Sequence, residues 1–270
     1  MGAGIAHAFL LAGSEVTVVE RDDAAADAAR ARVLDSVAAS VARGTTDEPA
    51  DTLAARLRTA TEVAAFGGAD LVVEAVPEDL DLKLDALTRV EAVLGADAAL
   101  ASNTSSISID VLADRLERPR RFLGMHFFNP VPASTLVEVV RGTATDGTLV
   151  EEARGWVDAI GKTPIVVHDA PGFASSRLGV ALGLEAIRML EEGVASAEDI
   201  DTAMVLGYKH PIGPLRLTDL VGLDVRLGIA EYLAGELGER FEPPALLRRM
   251  VAEGKLGRKT GEGFHVWDAQ

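Results

Sequence analysis

A histidine and a glutamate lie twelve residues apart in mid-chain. His126 falls at the end of the apolar run that starts at Phe122, and Glu138 interrupts the run Leu136-Val137-Glu138-Val139-Val140. Along a strand, Leu136, Glu138 and Val140 share one face and Val137 and Val139 the other. If that strand is buried, Glu138 sits among apolar neighbours, where an unpartnered carboxylate is costly. His126 is a natural partner. A carboxylate on one imidazole nitrogen fixes the tautomer and stabilises the imidazolium. The other nitrogen can then take a proton from an alcohol. The same pair can equally be structural, and the residues alone leave both readings open. Upstream, Ser102-Asn103-Thr104-Ser105-Ser106 offers a dense set of hydroxyls. These suit capping of a helix that starts near Ile107.

The elements around these residues alternate. The pattern predicts helices over residues 2–11, 22–43, 79–94, 107–115 and 151–160, and strands over 16–19, 71–76, 98–102, 122–128, 136–140 and 163–167. From residue 171 onward no strand is expected, only helices over 173–192, 197–206, 223–237 and 244–253. Alternating strands and helices followed by helices imply a mainly parallel α/β sheet and an all-helical second domain. The boundary is expected near residues 168–170, giving domains 1–168 and 169–270.

The opening segment resembles part of a dinucleotide-binding unit. Such a unit runs strand, G-x-G-x-x-G, helix, with an acid about 20 residues past the loop for the ribose hydroxyls. Gly2 opens a helix, a strand follows, and Glu20 stands at its end. Gly2 fits the third glycine, which would put the first strand and two glycines upstream of Met1. The native chain is therefore expected to begin roughly 10–15 residues earlier. A flexible terminus and a solvated Glu20 are the plain alternative. If the dinucleotide reading holds, Glu20 favours NAD over NADP, because a carboxylate repels a 2′-phosphate.

Composition excludes several classes. The formal net charge is −16, which disfavours nucleic acid and anionic lipid as partners. No apolar stretch is long enough to span a bilayer. No signal peptide is visible, so the expected location is the cytoplasm. There are no cysteines, so thiol catalysis and cysteine-ligated zinc are out. His7, His168, His210 and His265 show no metal-ligand spacing; no metal is expected, and each reads as structural or exposed.

Ordered motifs carry a more specific resemblance. SNTSS at 102–106, HFFNPVP at 126–132 and LVEVV at 136–140 are followed by Pro171-Gly172-Phe173. Then come Pro211-Ile212-Gly213-Pro214 with Asp219 to Asp224, and GRKTGEGF at 257–264. Together they resemble the NAD-dependent L-3-hydroxyacyl-CoA dehydrogenase family, along essentially the whole chain. The resemblance implies a Rossmann-type sheet domain that binds NAD and a helical domain for substrate and homodimer formation. It implies His126 as catalytic base, Glu138 as its orienting partner and Ser105 as a hydrogen-bond donor to the reacting oxygen. It also implies cofactor contacts from Gly2, Glu20, Glu78, Lys83, Asn103, Ser105, Asn129 and Lys259. One position departs: where the family usually has P-G-F-x-x-N-R, this chain has Ser176 in place of the Asn. A hydroxyl is shorter and has one donor rather than two, so the geometry at the substrate oxygen is in question. The implied reaction interconverts L-3-hydroxyacyl-CoA and 3-oxoacyl-CoA, and the size resembles bacterial enzymes acting on 3-hydroxybutyryl-CoA. Two rivals remain: a related hydroxyacid dehydrogenase, and a non-catalytic binding or dimerisation protein that has lost its cofactor loop.

Overall fold

The computed structural model describes residues 1–268, in two compact units, Met1–Ala170 and a second that begins at Pro171. In chain order the first unit contains α1 (Gly2–Leu11), β1 (Val16–Val19), α2 (Asp23–Arg43), α3 (Ala50–Ala55), β2 (Leu57–Ala60) and β3 (Leu71–Glu74). It continues with α4 (Leu80–Glu91), β4 (Ala99–Ser102), α5 (Ile109–Ala113), β5 (Phe122–Phe127), β6 (Leu136–Arg141), α6 (Gly147–Ala159) and β7 (Thr163–His168). Local chemistry sets the helix ends. Asp22 accepts from the Ala25 amide at 2.7 Å, and Gly44, at φ 68°, ends α2 in the left-handed conformation. Asp79 caps α4 through the Leu82 amide at 3.0 Å.

The strands form two sheets. β1 pairs with β2, and a five-stranded sheet runs β3-β4-β5-β6-β7. Strands β3, β4 and β5 are parallel, β6 is antiparallel to β5, and β7 is parallel to β6. Among the described residues no strand joins the two sheets. The sheet is thus mainly parallel, as the alternating pattern implied. Its core packs Ala101, Leu123, Met125, Val137 and Val139 against Leu149, Ala153 and Val157 of α6 and Ile5 of α1. Most of these side chains are wholly buried, and each large one contributes about 1.5–3 kcal/mol.

Two elements of this unit were not legible in the sequence. β2 reads Leu57-Arg58-Thr59-Ala60, and only Leu57 is buried. Its existence depends on pairing with β1, which a local pattern cannot show. α3 is a six-residue helix, too short for periodicity.

The second unit contains α7 (Ser175–Glu191), α8 (Ala197–Thr202), α9 (Pro214–Val221), α10 (Leu223–Leu237) and α11 (Ala245–Ala252). α8 continues into a π turn over Ala203–Gly207. Val180, Leu184 and Ile187 of α7 meet Leu223, Ala230 and Leu233 of α10 and Leu247 of α11 in one apolar cluster. α9 was not anticipated: it is one short element of eight residues, begun by Pro214 and stopped at Gly222.

Candidate active site

β5 and β6 place His126 and Glu138 directly opposite one another in antiparallel register. Opposed residues point to the same face, so the two side chains meet. The His126 ring binds Glu138 Oε2 through Nδ1 at 2.7 Å. Glu138 is wholly buried and His126 is 6% exposed. The Phe128 ring lies tilted against the imidazole at a centroid distance of 4.5 Å. A short contact of this kind fixes the orientation of the ring.

β4 runs parallel beside β5, so the loop after Ser102 emerges at the same sheet edge as His126. Asn103 ties the two together: its Oδ1 accepts from the Phe127 amide at 2.9 Å. The loop is held from below by Glu78. One carboxylate oxygen of Glu78 accepts from Thr104 Oγ1 at 2.7 Å, the Ser105 amide at 2.9 Å and hydroxyl at 3.2 Å, and the Ser106 amide and hydroxyl at 3.0 Å each. Burial pushes the Glu78 carboxyl up. The Thr104 hydroxyl, the Lys83 charge, the Ser105 amide and the Ser106 hydroxyl outweigh it and hold the group below the usual carboxylate value.

Lys83 lies beneath this arrangement. It is 1% exposed and donates to both oxygens of Glu74, at 2.9 and 3.1 Å, and to the Val76 carbonyl at 3.2 Å. The second Glu78 oxygen is 3.3 Å away. Ser102 donates to Glu74 at 2.5 Å. The structure therefore puts Lys83 inside a buried ion network that supports the Ser105 loop, with its charge engaged by protein oxygens. A cofactor contact by Lys83 itself does not fit that burial. Glu74 was not singled out in the sequence, although an acid closing the run Leu71-Val72-Val73 is an unusual buried charge, and Ser102 was named only as part of the SNTSS run. Lys162 was missed as well; its Nζ donates to the Val131 carbonyl at 2.7 Å and to that of Ser134, pinning the turn after His126.

Other cofactor candidates flank α1 and β1. α1 opens at Gly2 beside Ala75, with no side-chain cap and no acid in its first turn. Such a start suits a phosphate. Glu20 follows β1, with its amide bonded to the Ala60 carbonyl and no side-chain partner among the described residues. An unpaired carboxylate after the strand that follows the first helix suits ribose hydroxyls. These features fit a dinucleotide. Asn129 is exposed, just before a cis peptide to Pro130.

In the second unit, Ser176 lies in the first turn of α7, half-buried. Phe173, just before it, has φ 48°. Lys259 is paired with Asp224 at 2.5 Å. The GRKTGEGF loop is held by Asp219, which accepts from the Phe264 and His265 amides and from Trp267 Nε1, each at 2.9 Å. A Cβ on Gly263 would collide with Asp219 Oδ1, and one on Gly257 with the Asp219 carbonyl, so only glycine admits the close approach.

Of the other histidines, His7 is buried and paired with Ser40 at 2.9 Å, and His265 binds Asp201 at 2.8 Å. His168 is exposed and His210 half-buried. Among the described residues no cluster of His, Asp or Glu forms a metal site.

A buried His–Glu pair at the edge of a mainly parallel sheet, with a helix start suited to a phosphate, fits an NAD-dependent dehydrogenase acting on an alcohol. Comparison with known proteins narrows the class. Residues 1–170 match the 3-hydroxyacyl-CoA dehydrogenase NAD binding domain and residues 172–267 the 3-hydroxyacyl-CoA dehydrogenase C-terminal domain. The chain belongs to the 3-hydroxyacyl-CoA dehydrogenase family. It is 42% identical to the 3-hydroxybutyryl-CoA dehydrogenase of Mycobacterium tuberculosis, over 99% of this chain and 95% of that protein. It is 40% identical to a probable 3-hydroxybutyryl-CoA dehydrogenase of Deinococcus radiodurans, over 99% and 96%. The crystal structure of the (S)-3-hydroxybutyryl-CoA dehydrogenase PaaH1 from Ralstonia eutropha matches with a TM-score of 0.94 at 41% identity, covering all of this chain and 96% of that one.

Proposed function

We propose that this NAD-dependent dehydrogenase interconverts L-3-hydroxybutyryl-CoA and acetoacetyl-CoA, with His126 and Glu138 as its base pair. The buried 2.7 Å contact between them carries the reading. In the oxidative direction Nε2 of His126 takes the proton of the 3-hydroxyl. Glu138, fixed on Nδ1, holds the ring in the required tautomer and stabilises the imidazolium. The Ser105 hydroxyl, on the loop anchored by Glu78 and Lys83, donates to the C3 oxygen, and the family resemblance assigns Ser176 a second donor role. Bound NAD supplies the acceptor for the hydride released from C3. Gly2 and Glu20 would hold its pyrophosphate and ribose, and Asn103, Asn129 and the Ser105 loop would line the remainder.

The substrate is an acyl-CoA on the strength of the family and its relatives. We infer a homodimer as well. Leu178, Leu206, Tyr208, Val221 and Val225 leave large apolar side chains on the surface of the helical unit, which is the composition of a surface that another chain covers. No described helix is long and apolar enough to cross a membrane, and the cytoplasm is the inferred location.

The test is spectrophotometric. Acetoacetyl-CoA should drive oxidation of NADH, with NADH preferred to NADPH because of Glu20. No turnover with any 3-oxoacyl-CoA would reject the function, and equal rates with the two cofactors would reject the role of Glu20.

A further inference from the structure

The turn that follows His126 is closed by a single charge. Gly161, at φ 71°, ends α6 and sends the chain into β7, with the Lys162 amide bonded to the Val157 carbonyl at 3.1 Å. β7 pairs in parallel with β6, Thr163 opposite Leu136, so Lys162 is delivered beside the residues that precede β6. Those residues form a turn in which the Ala133 and Ser134 amides both bond to the Pro130 carbonyl, at 3.0 and 3.1 Å. The carbonyls of Val131 and Ser134 have no other donor among the described residues, and both accept from Lys162 Nζ, the first at 2.7 Å. Carbonyls left without a donor inside a fold are costly. No acid pairs with the ammonium among the described residues, and burial pushes it below the usual lysine value. Its charge is held instead by the two carbonyls of the turn.

The turn leans on the helix start that suits a phosphate. Val131 is 2% exposed. A Cβ on Gly4 would lie 2.9 Å from Val131 Cβ and 3.1 Å from Val131 Cγ2, so glycine is what admits this approach. α1 itself is anchored by a separate apolar cluster, in which Ala6 and Leu10 pack with Val33, Val37 and Leu53. The helix is therefore the fixed body and the turn is the piece that must be kept seated on it. Asn129 is exposed and directly precedes the turn, and its side chain makes no hydrogen bond among the described residues. Its place is set by the backbone on either side of it. On the β5 side the Phe127 amide is tied to Asn103; on the other side the tie is Lys162.

We propose that Lys162 is a positioning residue of the cofactor site, one that sets where Asn129 meets the nicotinamide half of NAD. The inference rests on the reading above, in which Gly2 and Glu20 hold the pyrophosphate and ribose and Asn129 lines the remainder. Without the ammonium the two carbonyls lose their donor, and the turn can shift off α1. The start of α1 and Glu20 stay where they are, because neither depends on Lys162. The nicotinamide half is then held less well and the ADP-ribose half as before. A misplacement of about 1 Å at a site of this kind costs up to about 100-fold.

The experiment is a binding titration with NADH and with ADP-ribose, read well below each variant's melting temperature. There a purely structural defect lowers the amount of folded protein and leaves both dissociation constants alone. Lys162→Met should weaken NADH binding about 10-fold and ADP-ribose binding by less than about 2-fold. The chain has no cysteine, so Lys162→Cys carries the one thiol. Alkylation with bromoethylamine restores an ammonium at nearly the length of lysine and should recover most of the NADH affinity. Iodoacetamide, which leaves a neutral amide, should recover little. Gly4→Ala pushes the turn off α1 by another route; it should weaken NADH with ADP-ribose spared, and adding Val131→Ala should relieve it. This arm stands even if Lys162→Met fails to fold. Lys162→Met protein with wild-type NADH affinity, equal weakening of the two ligands, or a Gly4→Ala protein with unchanged NADH affinity would each overturn the proposal. Wild-type protein that binds no NADH removes the cofactor reading and this inference with it, whereas wild-type binding without the split in the variants removes this inference alone.

Discussion

Replacing Lys83 by Met should destabilise the protein severely, although the new side chain is similar in length. Lys83 is 1% exposed, and its ammonium meets both oxygens of Glu74, the Val76 carbonyl and one oxygen of Glu78. Glu74 is itself buried. Removing the cation leaves that carboxylate uncompensated, which costs about 3–5 kcal/mol. For a unit of this size each kcal/mol moves the melting temperature by about 2–4 °C, so the expected fall is about 6–20 °C. Thermal melting and urea unfolding would measure it. The pair can be separated from simple loss of packing by a second variant. Glu74→Gln in the Lys83→Met background removes the stranded charge and should recover a substantial part of the loss, a coupling that a double-mutant cycle isolates. A Lys83→Met protein within about 1 kcal/mol of wild type, or no recovery in the double variant, would refute the reasoning, because a carboxylate stranded in the interior carries a cost several times larger.

Glu78 gives a pH prediction. Its folded pKa lies below the usual 4.5, so its contribution to stability is fully present above that value and is lost as pH falls through the folded pKa. Glu78→Gln should flatten the acid limb of the melting-temperature profile below that pH, and an unchanged limb would contradict the anchoring role. Ser176→Ala should lower kcat/KM because an oxyanion loses a donor, while Ser176→Asn should be tolerated; an unaffected Ala variant would exclude the hydroxyl from the site. Analytical ultracentrifugation at micromolar concentration should show a dimer, and a monomer there would contradict the inferred assembly.

What the sequence displayed depended on how local each feature was. The β-branched runs at Val16 to Val19 and Leu136 to Val140 announced their strands, and Asp22 and Gly44 bracketed α2 as caps do. The His126–Glu138 contact could be anticipated because two neighbouring strands and a short connection leave few registers. β2 could not, since Leu57 to Ala60 becomes a strand only beside β1. Lys83 shows the same limit more sharply. Nothing local distinguishes it from a solvated lysine on a helix start, and its burial follows from Glu74 nine residues back and from the loop that Ser102 begins, well downstream of it. α9 was hidden because its eight residues follow Pro211-Ile212-Gly213-Pro214, a run that reads as a turn.

The most direct test of the central claim is the turnover number of His126→Gln with acetoacetyl-CoA and NADH, measured together with NADH binding. A positioned general acid–base contributes about 10²–10⁴-fold. The variant should lose kcat by about that range while binding NADH as the wild type does. A His126→Gln enzyme with near-normal kcat would show that the pair formed with Glu138 is structural and that the proton moves elsewhere.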